Sequence, residues 1–233
     1  MRRVVFLLAA VLALVGCGGG GDIAPRTQGT RYTQIDWLGN QCFRITSPLG
    51  TSILANPFAS KTGGRTLPSP LKSDIVLITA ERPEFNNINA IDNQPAVLRG
   101  GVGIGVNNVT GIQIRGIPFY EDPEMPASAG MNMLFTWVMD GIRYCFAGSL
   151  ERPLDADQLM QVGAVDVLFL DPGNLSSVAR EEIILQLRPR LVIPMGRSAR
   201  GWSIGQLRSA VGSRYSLNRQ MLPLQTSTLV FNQ

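Results

Sequence analysis

Short apolar runs separated by turn residues make up most of the chain from Thr33 onward. The run Asp74–Thr79 is apolar on both faces, which is typical of a strand buried inside a sheet. Two further runs, Met133–Met139 and Ile142–Ala147, are joined by Asp140-Gly141, a dipeptide that favours a tight hairpin turn. The same pattern predicts the remaining strands at Ile35–Leu38, Cys42–Ser47, Ser52–Ala55, Ile112–Ile117, Val165–Leu170 and Leu191–Ile193.

Helical patterns alternate with strands in the second half of the chain. Asp155–Val162 and Ser177–Leu187 carry apolar residues at helical spacing, and Pro189 ends the second segment. Strand-rich stretches combined with strand-helix units predict a layered α/β sandwich.

Arginines of the C-terminal third recur among apolar residues at roughly helical spacing, which favours a solvated helix face over a binding surface. They are Arg180, Arg188, Arg190, Arg197, Arg200, Arg208, Arg214 and Arg219.

The N-terminus has the pattern of a secretory signal. Met1-Arg2-Arg3 supplies positive charge, and an apolar run from Val4 to Val15 follows it. Glycines between Gly16 and Gly21 end that run well short of the roughly 20 residues that a membrane-spanning helix needs. The pattern therefore predicts export rather than a transmembrane helix.

The residues Leu14-Val15-Gly16-Cys17, directly after the apolar run, resemble the lipobox of bacterial lipoproteins. The resemblance implies that a signal peptide of residues 1–16 is removed and that Cys17 is the lipid attachment site. It places the protein in the bacterial cell envelope, with its domain on the periplasmic or extracellular face. Residues 17–32 then form a lipidated, flexible tether, and residues 33–233 form one domain. The alternative is an ordinary signal peptide with a cysteine that carries no lipid.

Charge and composition narrow the classes of function. The formal net charge is +4, and two of those charges belong to the predicted leader, so the balance is too small to imply a nucleic-acid partner. Histidine is absent from the whole sequence, which removes the usual general base near neutral pH and the commonest metal ligand. Hydrolysis by a histidine-ligated metal is thereby excluded.

Seven short segments follow one another in order between Thr33 and Gly196. They are Trp37 to Ile45, Ala55-Asn56-Pro57-Phe58, Ser73 to Thr79, Gly141-Ile142-Arg143, Ala147-Gly148-Ser149-Leu150, Gly163 to Leu168 and Ile193-Pro194-Met195. Their order and spacing resemble the landmarks of the metallo-β-lactamase superfamily, in particular the branch that includes the ascorbate-6-phosphate lactonases. The resemblance implies a four-layer αββα sandwich of metallo-β-lactamase type over residues 33–233.

The metal ligands of that superfamily are replaced in this chain. The family follows its Thr with His-x-His-x-Asp-His, because clustered imidazoles and a carboxylate hold the metals that generate hydroxide. Here the sequence reads Thr79-Ala80-Glu81-Arg82-Pro83-Glu84-Phe85. The resemblance maps a degenerate metal-site pocket onto Ala80, Arg82, Glu84, Phe85, Glu121, Ser149 and Gly196. We expect no metal, no cofactor and no catalytic residue at these positions, with Arg82 paired to Glu84 or Glu121 in place of the missing cations.

Other chemistry at these positions is less well supported. Glu81, Glu84, Glu121, Asp122 and Asp171 could ligate Mg²⁺, Ca²⁺ or Mn²⁺, but their spacing matches no ligand loop, so surface charge is favoured. Ser149 follows Gly148 at a strand end, yet it lacks both an activating base and a nucleophile-elbow motif.

Two hypotheses for function stay open. The leading one is a membrane-anchored pseudoenzyme that binds a small molecule or an envelope protein, or serves a structural role. The alternative is a hydrolase of altered, non-zinc chemistry that uses carboxylates or Ser149 in the ancestral cleft. Cys42 and Cys145 lie within predicted strands, and we expect them to remain reduced thiols although the compartment is oxidising.

Overall fold

A computed structural model describes residues 31–59, 66–120, 131–199 and 201–231, and two β-sheets pack face to face within them. The first sheet has the strand order β13-β1-β2-β3-β4-β5, in which β3, β4 and β5 run parallel. Its strands are β1 (Thr33–Gly39), β2 (Cys42–Thr46), β3 (Ser52–Ala55), β4 (Ile75–Ile78), β5 (Ala96–Arg99) and β13 (Arg214–Leu217).

The second sheet has eight strands in the order β12-β14-β11-β10-β9-β8-β7-β6. The strands from β12 to β9 in this order are parallel, and β9, β8, β7 and β6 are antiparallel neighbours. The strands are β6 (Gly105–Val109), β7 (Ile112–Tyr120), β8 (Met131–Met139), β9 (Ile142–Phe146), β10 (Val167–Leu170), β11 (Leu191–Pro194), β12 (Gln206–Ala210) and β14 (Ser227–Phe231).

Three α-helices complete the described elements: α1 (Gly100–Gly103), α2 (Ala156–Val162) and α3 (Ser177–Leu187). The side chain of Asp155 accepts a hydrogen bond from Gln158 N, and the Gln158 side chain accepts one from Asp155 N, so α2 begins with a capping box. Ser176 caps α3. Arg188 ends α3 in the left-handed conformation, one residue before Pro189.

Three apolar clusters hold the layers together. The largest fills the space between the sheets and includes Phe43, Phe135 and Phe169, all nearly or fully buried. A second cluster packs α2 and α3 onto the outer face of the second sheet. The outer face of the first sheet is covered by described residues that flank β4, including Phe58, Leu67, Leu71 and Ile91, and a 3₁₀ turn, Ile88–Ala90, lies in this layer. The described part of this layer is irregular because Pro57, Pro68 and Pro70 interrupt helical hydrogen bonding.

Most elements follow the sequence pattern, and the layered α/β sandwich is confirmed. The Asp140-Gly141 turn joins β8 to β9 with positive φ angles at both residues, as its composition predicts. The helix-face interpretation of the C-terminal arginines is wrong beyond α3: Arg208 lies in β12 and Arg214 in β13. The segment of Arg214 pairs with β1, far away in the chain, and that of Arg208 pairs with β14, and this strand pairing overrides the local arginine spacing.

The sandwich has two ends that matter for function. The site end is where β3, β4, β9, β10 and β11 finish, because parallel strands bring their carboxyl ends to the same edge. The entry end is the opposite one, where Thr33 begins β1 and its hydroxyl donates to Asp140 Oδ2 at 2.8 Å. Cys17 and the predicted leader lie outside the described residues, and the described part of the chain contains no helix long and apolar enough to cross a membrane.

The two described cysteines lie in different layers. Cys42 belongs to the cluster outside the first sheet, and Cys145 to the cluster under the helices of the second. Both are fully buried and free, in agreement with the prediction of reduced thiols. Burial raises the pKa of Cys145 to about 12, so its thiol stays protonated and unreactive.

Candidate functional site

Polar side chains from both sheets converge at the site end. Most of them sit at a strand terminus, where the backbone leaves the sheet and the side chain is free to turn towards the space between the sheets. The set comprises Gln41 before β2, Asn56 after β3, Thr79 after β4, Asn132 in β8, Ser149 after β9 and Asp171 after β10. Four of them, Gln41, Asn56, Thr79 and Asn132, are at most 5% exposed, so their hydrogen bonds are made in a low-dielectric interior.

The amide of Gln41 links the two sheets. Its Nε2 atom donates to Ser149 Oγ at 2.9 Å and to Asp171 Oδ2 at 2.6 Å. Its Oε1 atom accepts a hydrogen bond from Asn56 Nδ2 at 3.3 Å. A neutral amide therefore bridges two oxygen atoms at the place where the resemblance puts a bridging aspartate, at Ser149.

Asn56 and Thr79 form the hydrogen-bonded layer on which Gln41 rests, with Asn56 bonded to both of the others. Asn56 adopts a positive φ of 49°, a conformation that asparagine tolerates, and its Oδ1 accepts from Thr79 N at 2.9 Å. Its Nδ2 also donates to Thr79 Oγ1 at 2.9 Å. These bonds fix the backbone where β4 ends, so the chain that follows Thr79 leaves the sheet in a defined direction.

Asp171 is the half-buried carboxylate of this network. Its Oδ1 accepts from Gly173 N at 2.8 Å, and its Oδ2 accepts from Gln41. Burial raises the pKa of the Asp171 carboxyl above its ordinary value, and the two hydrogen bonds oppose part of that rise. The carboxylate also lies against Gly196, where an added Cβ would approach Oδ2 to 2.7 Å. Asp171 thus occupies the space that a side chain at position 196 would need.

Asn132 and Gly148 close the back of the network. Asn132 Nδ2 donates to Ala147 O at 2.9 Å, while its buried Oδ1 has no hydrogen-bond partner among the described residues. A Cβ on Gly148 would come within 2.6 Å of that oxygen and within 2.9 Å of Thr79 Cβ. Glycine at 148 therefore lets the β9 terminus approach Thr79 closely, and this packing leaves Ser149 half-buried at the mouth.

The positions mapped from the resemblance separate into three groups. Ser149 and Gly196 lie in or against the network just described. Ala80 and Phe85 are 8% exposed and apolar, so neither offers a ligand atom. The remaining mapped positions are the exposed Arg82 and Glu84 and the residue Glu121, which lies outside the described residues.

An ion pair near the mapped loop was missed by the sequence pattern. Arg99 Nε donates to Glu81 Oε1 at 2.6 Å, and Arg99 Nη2 donates to Glu81 Oε2. The Arg99 guanidinium lowers the pKa of the Glu81 carboxyl. Glu81 is therefore held by an arginine, whereas a metal ligand needs free lone pairs.

The residues present do not fit the metal centre that the fold family implies. Among the described parts of the chain, no three His, Cys, Asp or Glu side chains come together in a ligand cluster. Asp171, the carboxylate of the described network, already accepts bonds from an amide and a backbone N–H. Catalytic zinc needs about three protein ligands and an open position, which these groups do not supply.

Gln41, Asn56, Thr79 and Asp171 were not identified as one site by the sequence. Gln41 and Asp171 are 130 residues apart, so no local motif contains both. The available signal was the occurrence of polar residues at the ends of otherwise apolar runs. A polar side chain buried in an apolar sheet costs free energy unless it finds a hydrogen-bond partner. Polar residues at strand ends therefore indicate the edge of the sheet where such partners, and a site, are found.

Comparison with known proteins agrees with this architecture. Residues 34–196 match the family described as Beta-lactamase superfamily domain, which confirms the expected fold of metallo-β-lactamase type. No curated protein matches the sequence.

Solved structures share the fold at low identity. A Zn-dependent hydrolase candidate of the metallo-β-lactamase superfamily from Thermotoga maritima superposes with a TM-score of 0.69 at 20% identity, covering 86% of this chain and 98% of its own. A metal-dependent hydrolase candidate from Parabacteroides distasonis gives 0.53 at 18% identity, with 70% and 81% covered. A diiron β-hydroxylase from Streptomyces venezuelae gives 0.53 at 14% identity, with 72% and 45% covered. At these identities the likeness concerns the fold, and the chemistry has to be argued from the site.

Proposed function

Because the chain belongs to the Beta-lactamase superfamily domain family, we propose that it is a lipid-anchored envelope protein whose domain keeps a hydrolase fold but binds rather than hydrolyses. The observation that carries the proposal is the position of Gln41 Nε2 between Ser149 Oγ and Asp171 Oδ2. This amide joins Ser149, at the position that the resemblance gives to a bridging aspartate, to Asp171, and it does so without any charge to activate water. A site closed in this way is stable without a cation and cannot generate hydroxide.

Binding rather than a purely structural role is supported by Asp171. Burial makes its ionised form unfavourable, yet the carboxylate is retained at the mouth of the site. Perturbed titratable groups in clefts are markers of function. Asp171 and the neighbouring Ser149 present acceptor oxygens, so the ligand of this site is one that donates hydrogen bonds, either a small molecule with amine or hydroxyl groups or such a group on an envelope protein.

The alternative function, a hydrolase of altered chemistry, requires a base for Ser149. The hydrogen-bond partner of Ser149 Oγ among the described residues is an amide nitrogen, which donates and cannot take up a proton. A serine held by a donor is not activated as a nucleophile. The binding hypothesis is therefore favoured at this site.

The anchor rests on the lipobox-like segment that ends at Cys17. Replacing Cys17→Ser should abolish labelling by an alkyne fatty acid in a bacterial host, and persistent labelling would contradict the anchor. Binding is tested by native mass spectrometry of the freshly purified protein, followed by a thermal-shift panel of amines and polyols. We expect an adduct or a rise in melting temperature that Asp171→Asn weakens, and a protein without either would contradict binding.

A further inference from the structure

Arginines surround the point where the described chain enters β1. They are Arg31, Arg143, Arg188, Arg190 and Arg219. The entry end is fixed by Thr33, whose hydroxyl bonds to Asp140 in the β8–β9 turn. The neighbouring Gly141 O accepts from Arg219 Nη1 at 2.6 Å, so the segment 218–226 is held against the same turn.

The arginines before β11 and in β9 are joined to this region by further bonds. Arg190 Nη2 donates to Leu222 O at 2.8 Å, and Arg190 N donates to Asp166 O at 3.0 Å. Arg143 holds the Asp166 carboxylate through Nε at 2.8 Å and Nη2 at 2.7 Å. Arg188 lines a cavity together with Arg143 and Arg190, and Arg31 lies two residues before Thr33. We call the part of the entry end that carries these five arginines the entry-end surface.

The charge of the entry-end surface is positive. The five arginines and Lys72, which precedes β4, face four carboxylates in the loops and strand ends at this end of the sandwich: Asp74, Asp92, Asp140 and Asp166. The C-terminal ends of α2 and α3 also point here and contribute roughly half a negative charge each, which leaves an excess of about one positive charge. An anionic partner is therefore favoured over a cationic one.

Exposed apolar side chains accompany these arginines. Leu224, in the segment held by Arg190 and Arg219, is 96% exposed, and Met221 in the same segment is 40% exposed. Leu185, in the last turns of α3, is 71% exposed. Arginines mixed with protruding aliphatic side chains are the composition of surfaces that lie in the headgroup region of a membrane.

A cavity on this surface is suited to a phosphate group. Its volume is about 650 Å³, and its lining includes Arg143, Arg188, Arg190, Leu185 and Asp166, the carboxylate that Arg143 holds. Arg188 lies on its rim with an exposed side chain. Guanidinium groups bind phosphate oxygens through several directed hydrogen bonds, and the leucine offers contact to an acyl chain.

We propose that the entry-end surface docks on a membrane rich in anionic phospholipid, a proposal that rests on the lipid anchor proposed above. The described chain begins at Arg31, directly before β1, so the tether that would carry the lipid joins the domain at this end of the sandwich. Docking orients the domain with its entry end on the bilayer. The site end, with Gln41 and Asp171, then faces away from the membrane and is open to a ligand or an envelope partner.

The test uses the full-length protein, purified from bacterial membranes and reconstituted into vesicles that contain nitroxide-labelled lipid. A fluorophore is attached at Leu224→Cys, with Val178→Cys as the matched control, since Val178 is 71% exposed in the first turn of α3 at the site end. The buried Cys42 and Cys145 do not react in the folded protein. We expect the label at 224, and not the label at 178, to be quenched in vesicles with phosphatidylglycerol, and neither to be quenched in pure phosphatidylcholine.

Charge variants extend the test. Each arginine near an anionic membrane surface strengthens binding by about 1 kcal/mol, a factor of about 5 in affinity. The double variant Arg188→Asn/Arg219→Gln should therefore bind the vesicles about 25-fold more weakly. Asparagine suits position 188 because the backbone there is left-handed. Arg197→Gln, an exposed arginine at the site end, is the charge control and should leave the quenching unchanged.

The outcomes separate the docking surface from the anchor. If the intact mass shows no acyl chains but the protein still floats with phosphatidylglycerol vesicles, and the Arg188/Arg219 pair is needed for this, docking is supported and the anchor is wrong. If the protein is acylated and floats with both kinds of vesicle, but labels at 224 and 178 are quenched equally, docking is wrong. Loss of quenching in excess glycerol 3-phosphate, with a rise in melting temperature, would overturn the membrane as partner and assign the cavity to a soluble phosphate ester.

Discussion

The substitution Gln41→Glu tests the hydrogen bonds by which Gln41 links Ser149 to Asp171, because it replaces only the amide nitrogen of the side chain by an oxygen. The substitution preserves side-chain shape but turns the donor Nε2 into a carboxylate oxygen. That oxygen would lie where Nε2 now lies, 2.6 Å from Asp171 Oδ2 and 2.9 Å from Ser149 Oγ. Two carboxylates this close cannot both ionise, so one of them must keep a proton in the folded protein.

The sign of the pH dependence follows from that shared proton. In the Gln41→Glu variant, the folded-state pKa of the introduced carboxyl would rise above its unfolded value of about 4.3. The folded state then binds more protons than the unfolded state at higher pH, so the free energy of unfolding falls as pH rises above about 4.3. At low pH the protonated carboxyl can still donate one hydrogen bond to Asp171, and the variant approaches the wild type.

The magnitude can be worked from the bonds that are lost. At a pH of about 4 the variant loses mainly the neutral bond to Ser149, which costs about 0.5 to 1.5 kcal/mol. At a pH of about 8 the cost should reach about 3 to 5 kcal/mol, the range for a buried charge left without its partner. For a chain of this size each kcal/mol shifts the melting temperature by about 2 to 4 °C, so the expected decrease is about 1 to 6 °C at the lower pH and about 6 to 20 °C at the higher one.

The assay is differential scanning fluorimetry of wild type and variant at both pH values, each compared at the same pH. Gln41→Met is the matched control. It removes both donated bonds and the bond accepted from Asn56 without adding a charge, so its loss of about 3 to 6 kcal/mol should not grow with pH in the same way. A Gln41→Glu variant with the same decrease at both pH values would refute the contact between Nε2 and the Asp171 carboxylate.

Three further predictions concern the described residues. The raised pKa of Asp171 means that wild-type stability falls as pH rises from the ordinary carboxyl value of 3.8 through the higher folded value. Asp171→Asn keeps one of the two acceptor oxygens and cannot ionise, so it should remove this fall in calorimetry, whereas parallel pH profiles of wild type and variant would contradict the raised pKa. Gly196→Ala adds a Cβ 2.7 Å from Asp171 Oδ2 at a φ of 76°, whereas Gly212→Ala has a φ of 65° and open space. Urea titration should therefore find position 196 more costly by about 1 to 3 kcal/mol, and equal costs would show that the carboxylate does not fill that space. Thiol titration in denaturant without reductant should find both Cys42 and Cys145 in the acylated protein and neither in the folded one, and zero thiols would indicate a disulfide.

The fold could be predicted where local sequence determines it. The apolar run at Ile75–Ile78 forms a fully buried strand, and Asp140-Gly141 makes its turn because both residues tolerate positive φ. The strands β5, β6, β12, β13 and β14 were missed. The residues of β12 and β13 are mostly exposed or polar, and these segments become strands by pairing, β13 with β1 and β12 with β14, which in turn pairs with β11.

The candidate site was only partly predictable for the same reason. The family resemblance found Ser149 and Gly196, because those positions follow recognisable strand ends. It did not reveal that Gln41 reaches across the sandwich to Asp171, since that contact depends on how two sheets face each other. Nor could it show that Arg82 is exposed, which limits the effect of Arg82→Ala to about 0 to 1 kcal/mol.

The most direct test of the account is the metal content of the purified full-length protein after dialysis, measured by inductively coupled plasma mass spectrometry. The same sample is assayed on lactone and phosphodiester substrates with and without a chelator. Because the site is closed by hydrogen bonds from Gln41, we predict no stoichiometric metal and no chelator-sensitive hydrolysis. About one zinc, manganese or iron per chain, together with hydrolysis that the chelator abolishes, would contradict the account, since a catalytic centre needs about three protein ligands.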